Sequence, residues 1–245
     1  MLRSRLSRLC LSIGACAAIT AMPGILFAAP QEFVSTLGSL NHSGVTGNAT
    51  VLLDGTDLTV NLHATGLEAN QPHPIHIHGF GADGIPSPIP STLPTIADDT
   101  DHDGFIELAE GQIRYGPVIL NIASGSTPTG PEVSPVAQFP TAPNGIIDFH
   151  QTYHFNLSDA NQAKIFNLLQ PLNLREFVIH GETVPVGVGL DTPGEVNGSG
   201  GYQAVLPVAD GLIRSVPEPG SIALLSTGLV GVGWLTRRRR DTLDK

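Results

Sequence analysis

From Thr46 to Ile213 apolar and polar residues alternate with period two along most of the chain, the spacing of half-buried strands. Thr46 to Leu53 reads as one strand, Asp54-Gly55 as a turn, and Asp57 to Thr65 as the returning strand, with Leu58, Val60, Leu62 and Ala64 on one face. His73 to Phe80 comes next, Ile75 and Ile77 sharing one face and His76 and His78 the other. The proline-rich stretch Gly81 to Thr95 excludes a central strand. Tyr115 to Ala123 is apolar enough for a buried strand, Ile146 to Asn156 alternates again, and Arg175 to His180 and Tyr202 to Ile213 supply the last strands. Ser158-Asp159 caps one amphipathic helix running to about Leu169, which Pro171 ends. Short strands, glycine and proline turns and one short helix predict an all-β fold, an antiparallel Greek-key β-sandwich.

The two ends break the alternation. Arg3, Arg5 and Arg8 precede an apolar region from Leu9 to about Phe27, closed by Ala28 and Ala29. A charged start, an apolar middle and small closing residues predict a secretory signal peptide over 1–29. At the other end Ser221–Thr236 spans 16 residues, or ~24 Å of helix, just short of a hydrocarbon core. Arg237 to Arg240 hold that flank on the cytoplasmic side, so 221–236 is expected to be a transient inner-membrane anchor. Residues 241–245 form a tail, and 30–215 suit one domain.

Val216-Pro217-Glu218-Pro219-Gly220, the apolar run and the arginine cluster together resemble the PEP-CTERM sorting signal, over 216–240. The resemblance implies an exosortase-type processing enzyme as partner. It also implies export from a Gram-negative bacterium through an inner-membrane intermediate to the cell surface or extracellular matrix. An ordinary C-terminal anchor that is never cleaved is the plainer alternative.

Both cysteines, Cys10 and Cys16, lie in the signal peptide, which excludes disulfides, cysteine nucleophiles and cysteine zinc sites from the domain. Between 30 and 215 the basic residues are Arg114, Lys164, Arg175 and Arg214, against 19 acids, a net charge of −15. Such a surface repels nucleic acid and anionic membranes and attracts cations.

Asp99-Thr-Asp101-His-Asp103-Gly104-Phe105-Ile106-Glu-Leu-Ala-Glu110 fits the twelve-residue EF-hand calcium loop. Asp99, Asp101 and Asp103 stand at positions 1, 3 and 5, Gly104 at the turn, Phe105 offers its carbonyl, and Glu110 offers both oxygens at position 12. The flanks depart from the motif: a proline-bounded segment leads in, and Gly111 and an expected strand follow. This predicts a calcium loop set between strands; a solvated acidic turn is the alternative.

His76 and His78 share a strand face, and His180 ends a strand whose Phe177 and Ile179 form the opposite, apolar face. If the strands are adjacent, the three imidazoles meet as a metal site. Singly, each reads as a surface or hydrogen-bonded histidine. His150 and His154 share another face.

His73-Pro-Ile-His76-Ile-His78-Gly79-Phe80-Gly81 resembles the His-x-His strand of Cu,Zn superoxide dismutases, Phe177-Val178-Ile179-His180-Gly181 a later copper-histidine strand, and Val208-Ala209-Asp210-Gly211-Leu212-Ile213 their final strand. The same elements, with an Asp-rich loop and Tyr115-Gly116-Pro117, resemble CHRD-domain proteins over about 35–215. That resemblance implies a dismutase-like sandwich. Against the dismutase pattern, Asp210 replaces the strand-end cysteine, Pro207 stands where the guiding arginine belongs, and no zinc cluster lies between His78 and His150. Motifs for nucleophilic hydrolysis, phosphate binding and zinc proteolysis are absent.

These observations predict a secreted, envelope-attached, calcium-binding structural or binding module rather than an enzyme. Its expected partners are exopolysaccharide or surface proteins, with no nucleic acid. The alternative is a copper-dependent, superoxide dismutase-like redox enzyme using His76, His78 and His180.

Overall fold

A computed structural model describes residues 29–133 and 136–217. Apart from Ala29, the signal peptide over 1–29 lies outside these residues, as do the sorting segment from Glu218 onward and the tail.

The chain folds mostly into one antiparallel sheet. Its strands are β1 (Gln31–Ser39), β2 (Thr46–Asp54), β3 (Asp57–Thr65), β4 (Ile75–His78), β5 (Gly81–Ala82), β6 (Ile85–Pro86), β7 (Val118–Asn121), β8 (Ile146–His154), β9 (Glu176–Val184), β10 (Gly201–Leu212) and β11 (Arg214–Ser215). β5 and β6 form a separate two-residue hairpin; the others run in the order β7-β4-β9-β10-β1-β2-β3-β8, with β11 on β1. The sheet curls about β1, which bridges its two halves. Gly38 and Ser39 pair with Asp210 and Ala209 of β10, while Gln31 to Leu37 pair along β2. One core fills the curl: Leu58, Val60, Leu62 and Ala64 of β3 pack with Ile75 and Ile77 of β4 and Phe177 and Ile179 of β9. The period-two reading therefore places these side chains on the correct face.

β1 escapes the sequence reading, although Phe33, Ser35 and Leu37 alternate inward along it. The expectation of one helix is also corrected. α2 (Ala160–Leu169) begins where expected, with Asp159 accepting from the Asn161 and Gln162 amides. A second helix, α1 (Leu108–Tyr115), occupies the stretch after the acidic loop, and the strand expected from Tyr115 shortens to β7. Gly111 weakens a helix in isolation. Here its bare Cα receives the Tyr115 ring, since a Cβ would sit 2.6 Å from the Tyr115 hydroxyl oxygen. The reciprocal cap between Glu107 and Glu110 then secures the first turn. Among the described residues no helix is long and apolar enough to cross a membrane.

Candidate metal centres

β4 pairs with β9 so that His76 faces Val178 and His78 faces Glu176. Opposed residues in an antiparallel pair project to the same side. His76, His78, Glu176 and His180 therefore share the sheet face turned away from the core. The three imidazoles meet there: ring centroids are 5.6 Å apart for His76–His78, 5.3 Å for His76–His180 and 5.9 Å for His78–His180. The Tyr115 ring at the end of α1 stands edge-on to His78 at 4.6 Å.

Each imidazole is held through Nδ1. His78 Nδ1 meets the Gly116 carbonyl at 2.9 Å, His180 Nδ1 meets the Val205 carbonyl at 2.7 Å, and His76 Nδ1 meets Asn121 Oδ1 at 3.0 Å. These oxygens accept, so Nδ1 donates and Nε2 keeps its lone pair, the tautomer that a metal-ligating imidazole needs. His78 Nε2 and His180 Nε2 are buried without a partner. Burial, then the charges of His180 and His78, push the His76 imidazole down to about 2. Burial followed by His180 lowers His78 to about 3, and burial lowers His180 to about 4. All three are neutral donors at physiological pH.

The donor chemistry fits a soft or borderline divalent ion. The three imidazoles do not bring one nitrogen each within 4.8 Å of the others. Among the described residues, the group of three metal-ligating side chains whose donor atoms all fall within 4.8 Å of one another is Asp99, Asp101 and Asp103.

That acidic loop organises itself locally. Asp99 accepts from the His102 amide at 2.7 Å and the Gly104 amide at 3.0 Å, and Asp103 accepts from the Phe105 amide at 2.8 Å. Gly104 takes φ +94°, the left-handed turn expected of it. Asp103 Oδ2 is buried without a partner. The Asp103 carboxyl is raised by burial, and the charges of Asp101, Asp99 and Glu110 add to that rise. Glu110 stands apart from the three aspartates: Oε1 accepts from the Thr100 hydroxyl at 2.7 Å and Oε2 from the Glu107 amide at 3.0 Å. A carboxylate retains lone pairs beyond these bonds.

Sequence reasoning missed Asn121, Glu176 and the role of Asp210. Asn121 orients His76 while its Nδ2 donates to Thr129 Oγ1, the Gly130 carbonyl and the Val133 carbonyl. Glu176 lies on the face of His180 two steps of parity away, a signal available in Glu176-x-Val178-x-His180. It is fully buried, and burial followed by the charge of Asp210 raises its pKa, while burial also raises Asp210. His150 and His154 form no centre with the triad; they are exposed and meet Asn61 and Asp57.

Residues 215–240 match the PEP-CTERM protein-sorting motif. Among curated proteins, none matches the chain. The motif marks a secreted, surface-sorted protein of a Gram-negative bacterium, with an exosortase as its partner.

Proposed function

We propose that the domain over 30–215 is a calcium-binding structural or binding module, displayed at the cell surface after exosortase handling. The observation that carries this reading is the acidic loop: three aspartates with donor atoms within 4.8 Å, one of them with a buried, unpartnered oxygen. Carboxylates gathered this closely repel one another, and a hard cation with oxygen ligands relieves that repulsion. Asp99, Asp101, Asp103, the Phe105 carbonyl and Glu110 would hold the ion. Its contribution is cohesion, tying the turn to α1. The curled sheet is the CHRD-like sandwich in this reading, and exopolysaccharide or other surface proteins are its partners.

Titration calorimetry and melting curves with calcium or chelator test the proposal. An ion that binds only the folded state adds about 2.7 kcal/mol at one hundred times Kd. For a domain this size that raises Tm by about 5 to 10 °C. Glu110→Gln weakens binding at least tenfold. Equal melting temperatures in calcium and chelator, with no heat of binding up to millimolar calcium, would sink the reading.

A second reading, copper at His76, His78 and His180, is favoured by the three converging rings with their Nδ1 atoms all held. Copper would supply one-electron chemistry there. Neither Pro207 nor the net charge of −15 offers an anionic substrate any guidance. Stoichiometric copper lost in His78→Ala supports this reading; no copper uptake by the intact protein ends it.

A further inference from the structure

On the face carrying the histidines His78 and His180 are buried, and His76 is half-buried. There a cavity of about 240 Å³ opens, walled by Pro72, Pro74, Val118, Phe139, Ala204 and Val205. His76 and Asn121 are its polar residues, and no lysine, arginine or carboxylate lines it among the described residues. Asn121 offers a ligand little, because its Oδ1 faces His76 and its Nδ2 already serves three acceptors. His76 differs. Its Nδ1 is engaged, its ring stands edge-on to Phe139 at 5.3 Å, and among the described residues nothing pairs with its Nε2. The cavity thus presents apolar walls, one aromatic edge and one free acceptor nitrogen.

Those features select a ligand. An apolar cavity of ~150 Å³ holds a benzene ring, so this one has room for a ring with a small substituent. A buried anion needs a partner charge or several donors, and this wall supplies neither, on a domain of net charge −15. A free acceptor nitrogen calls for a single donor on the ligand. We propose that this cavity binds a small neutral phenol, its ring between Phe139, Val118 and Val205 and its hydroxyl donating to His76 Nε2. The site goes beyond the calcium reading and requires no metal. His76 Nε2 has one lone pair, so a phenol donating to it excludes an ion held by all three imidazoles.

Fluorine NMR of 4-fluorophenol, titrated with the detergent-solubilised full chain in excess chelator and referenced to a detergent blank, tests it. Saturable line broadening beyond the blank is expected, with 4-fluorobenzoate at least tenfold weaker. Ala204 is exposed at the rim, so Ala204→Phe fills the cavity without entering the core. It should abolish binding while leaving the melting temperature unchanged; Ala204→Leu, a smaller plug, gives an intermediate loss. No saturable binding, equal affinity for the benzoate, or binding indifferent to both Ala204 variants would each overturn the proposal. Because the chelator is present throughout, failure here leaves the calcium reading standing, and failure of calcium to bind leaves this site standing.

Discussion

His76, His78 and His180 reach their common face through strand pairing between segments remote in sequence, whereas Asp99, Asp101 and Asp103 come from one turn. Their supports differ in the same way. The triad leans on Gly116, Asn121 and Val205, carried by three separate segments. The loop leans on its own amides, from His102 to Phe105. One site is a product of the whole fold and the other of a local turn. Damage to the first should therefore be large and cooperative, and damage to the second small and confined. The surroundings differ as well: burial keeps the imidazoles neutral, while the aspartates, Asp99 buried and Asp101 and Asp103 half-buried, have their charges crowded.

A pair of glycine substitutions puts the greatest strain on this comparison. Gly116 has φ +82°, and a Cβ there would lie 2.6 Å from the Gly79 carbonyl carbon and 2.7 Å from its oxygen. Gly116 also supplies the carbonyl that holds His78. Gly116→Ala combines left-handed strain with overpacking against backbone, about 2–5 kcal/mol together. Gly104 has φ +94° with nothing within 4 Å of a built Cβ. Gly104→Ala then carries strain alone, about 1–2 kcal/mol. Denaturant melts of both variants in chelator measure the difference, and equal losses would erase the distinction between the sites.

The pH dependence sharpens the comparison because the two regions have opposite signs. The His180 pKa is lowered by burial to about 4. The unfolded chain takes up this proton first, so the stabilisation is full above the unfolded value near ~6.5 and fades as pH falls toward the folded value. Relative to the parent, His180→Gln should flatten that acid loss by about 1.4 kcal/mol per pH unit. Glu107, buried beside α1, is raised to about 7, chiefly by burial, with Glu195, Asp103 and Asp101 adding repulsion. Here the folded state binds the proton more tightly, so stability is full below the unfolded value and is lost as pH rises through the folded one. Glu107→Gln should therefore gain on the parent between about pH 5 and 7, by at most about 1 kcal/mol per unit. Urea melts of the metal-free protein across this range read both slopes; slopes of the same sign would contradict the assigned environments.

The same contrast explains what the sequence made legible. Parity along β3, β4 and β9 was enough to sort core from outer face and to put the three histidines on outer faces, because side-chain period in a strand is fixed by backbone geometry; their meeting rests on β4 pairing with β9. The acidic loop was legible because its chemistry is contiguous. Helix α1 was not, since Gly111 argues against a helix unless Tyr115 is known to fill the space beside it. Nor was β1, a nine-residue strand left out of an alternation read only from Thr46 onward, although Phe33 and Leu37 point into the core. Asn121 and the buried partners Glu176 and Asp210 depend on register between strands. A single strand's pattern does not carry that information.

The smallest expected effect discriminates most sharply between two chemistries for the loop. His102 lies among the aspartates, and an imidazole there invites a transition-metal reading. Its geometry argues otherwise: the residue is exposed, sits at φ +64°, and contributes its backbone amide to Asp99. His102→Ala keeps that amide and the same turn, so calcium affinity should change less than twofold and Tm by under about 1 °C, as for exposed substitutions generally. His102→Gly should instead stabilise the metal-free protein slightly, by relieving the left-handed strain. Calorimetry on both variants decides the matter. If removing the imidazole abolishes ion binding, the loop is a nitrogen-containing site for a softer metal, and its contrast with the histidine face disappears.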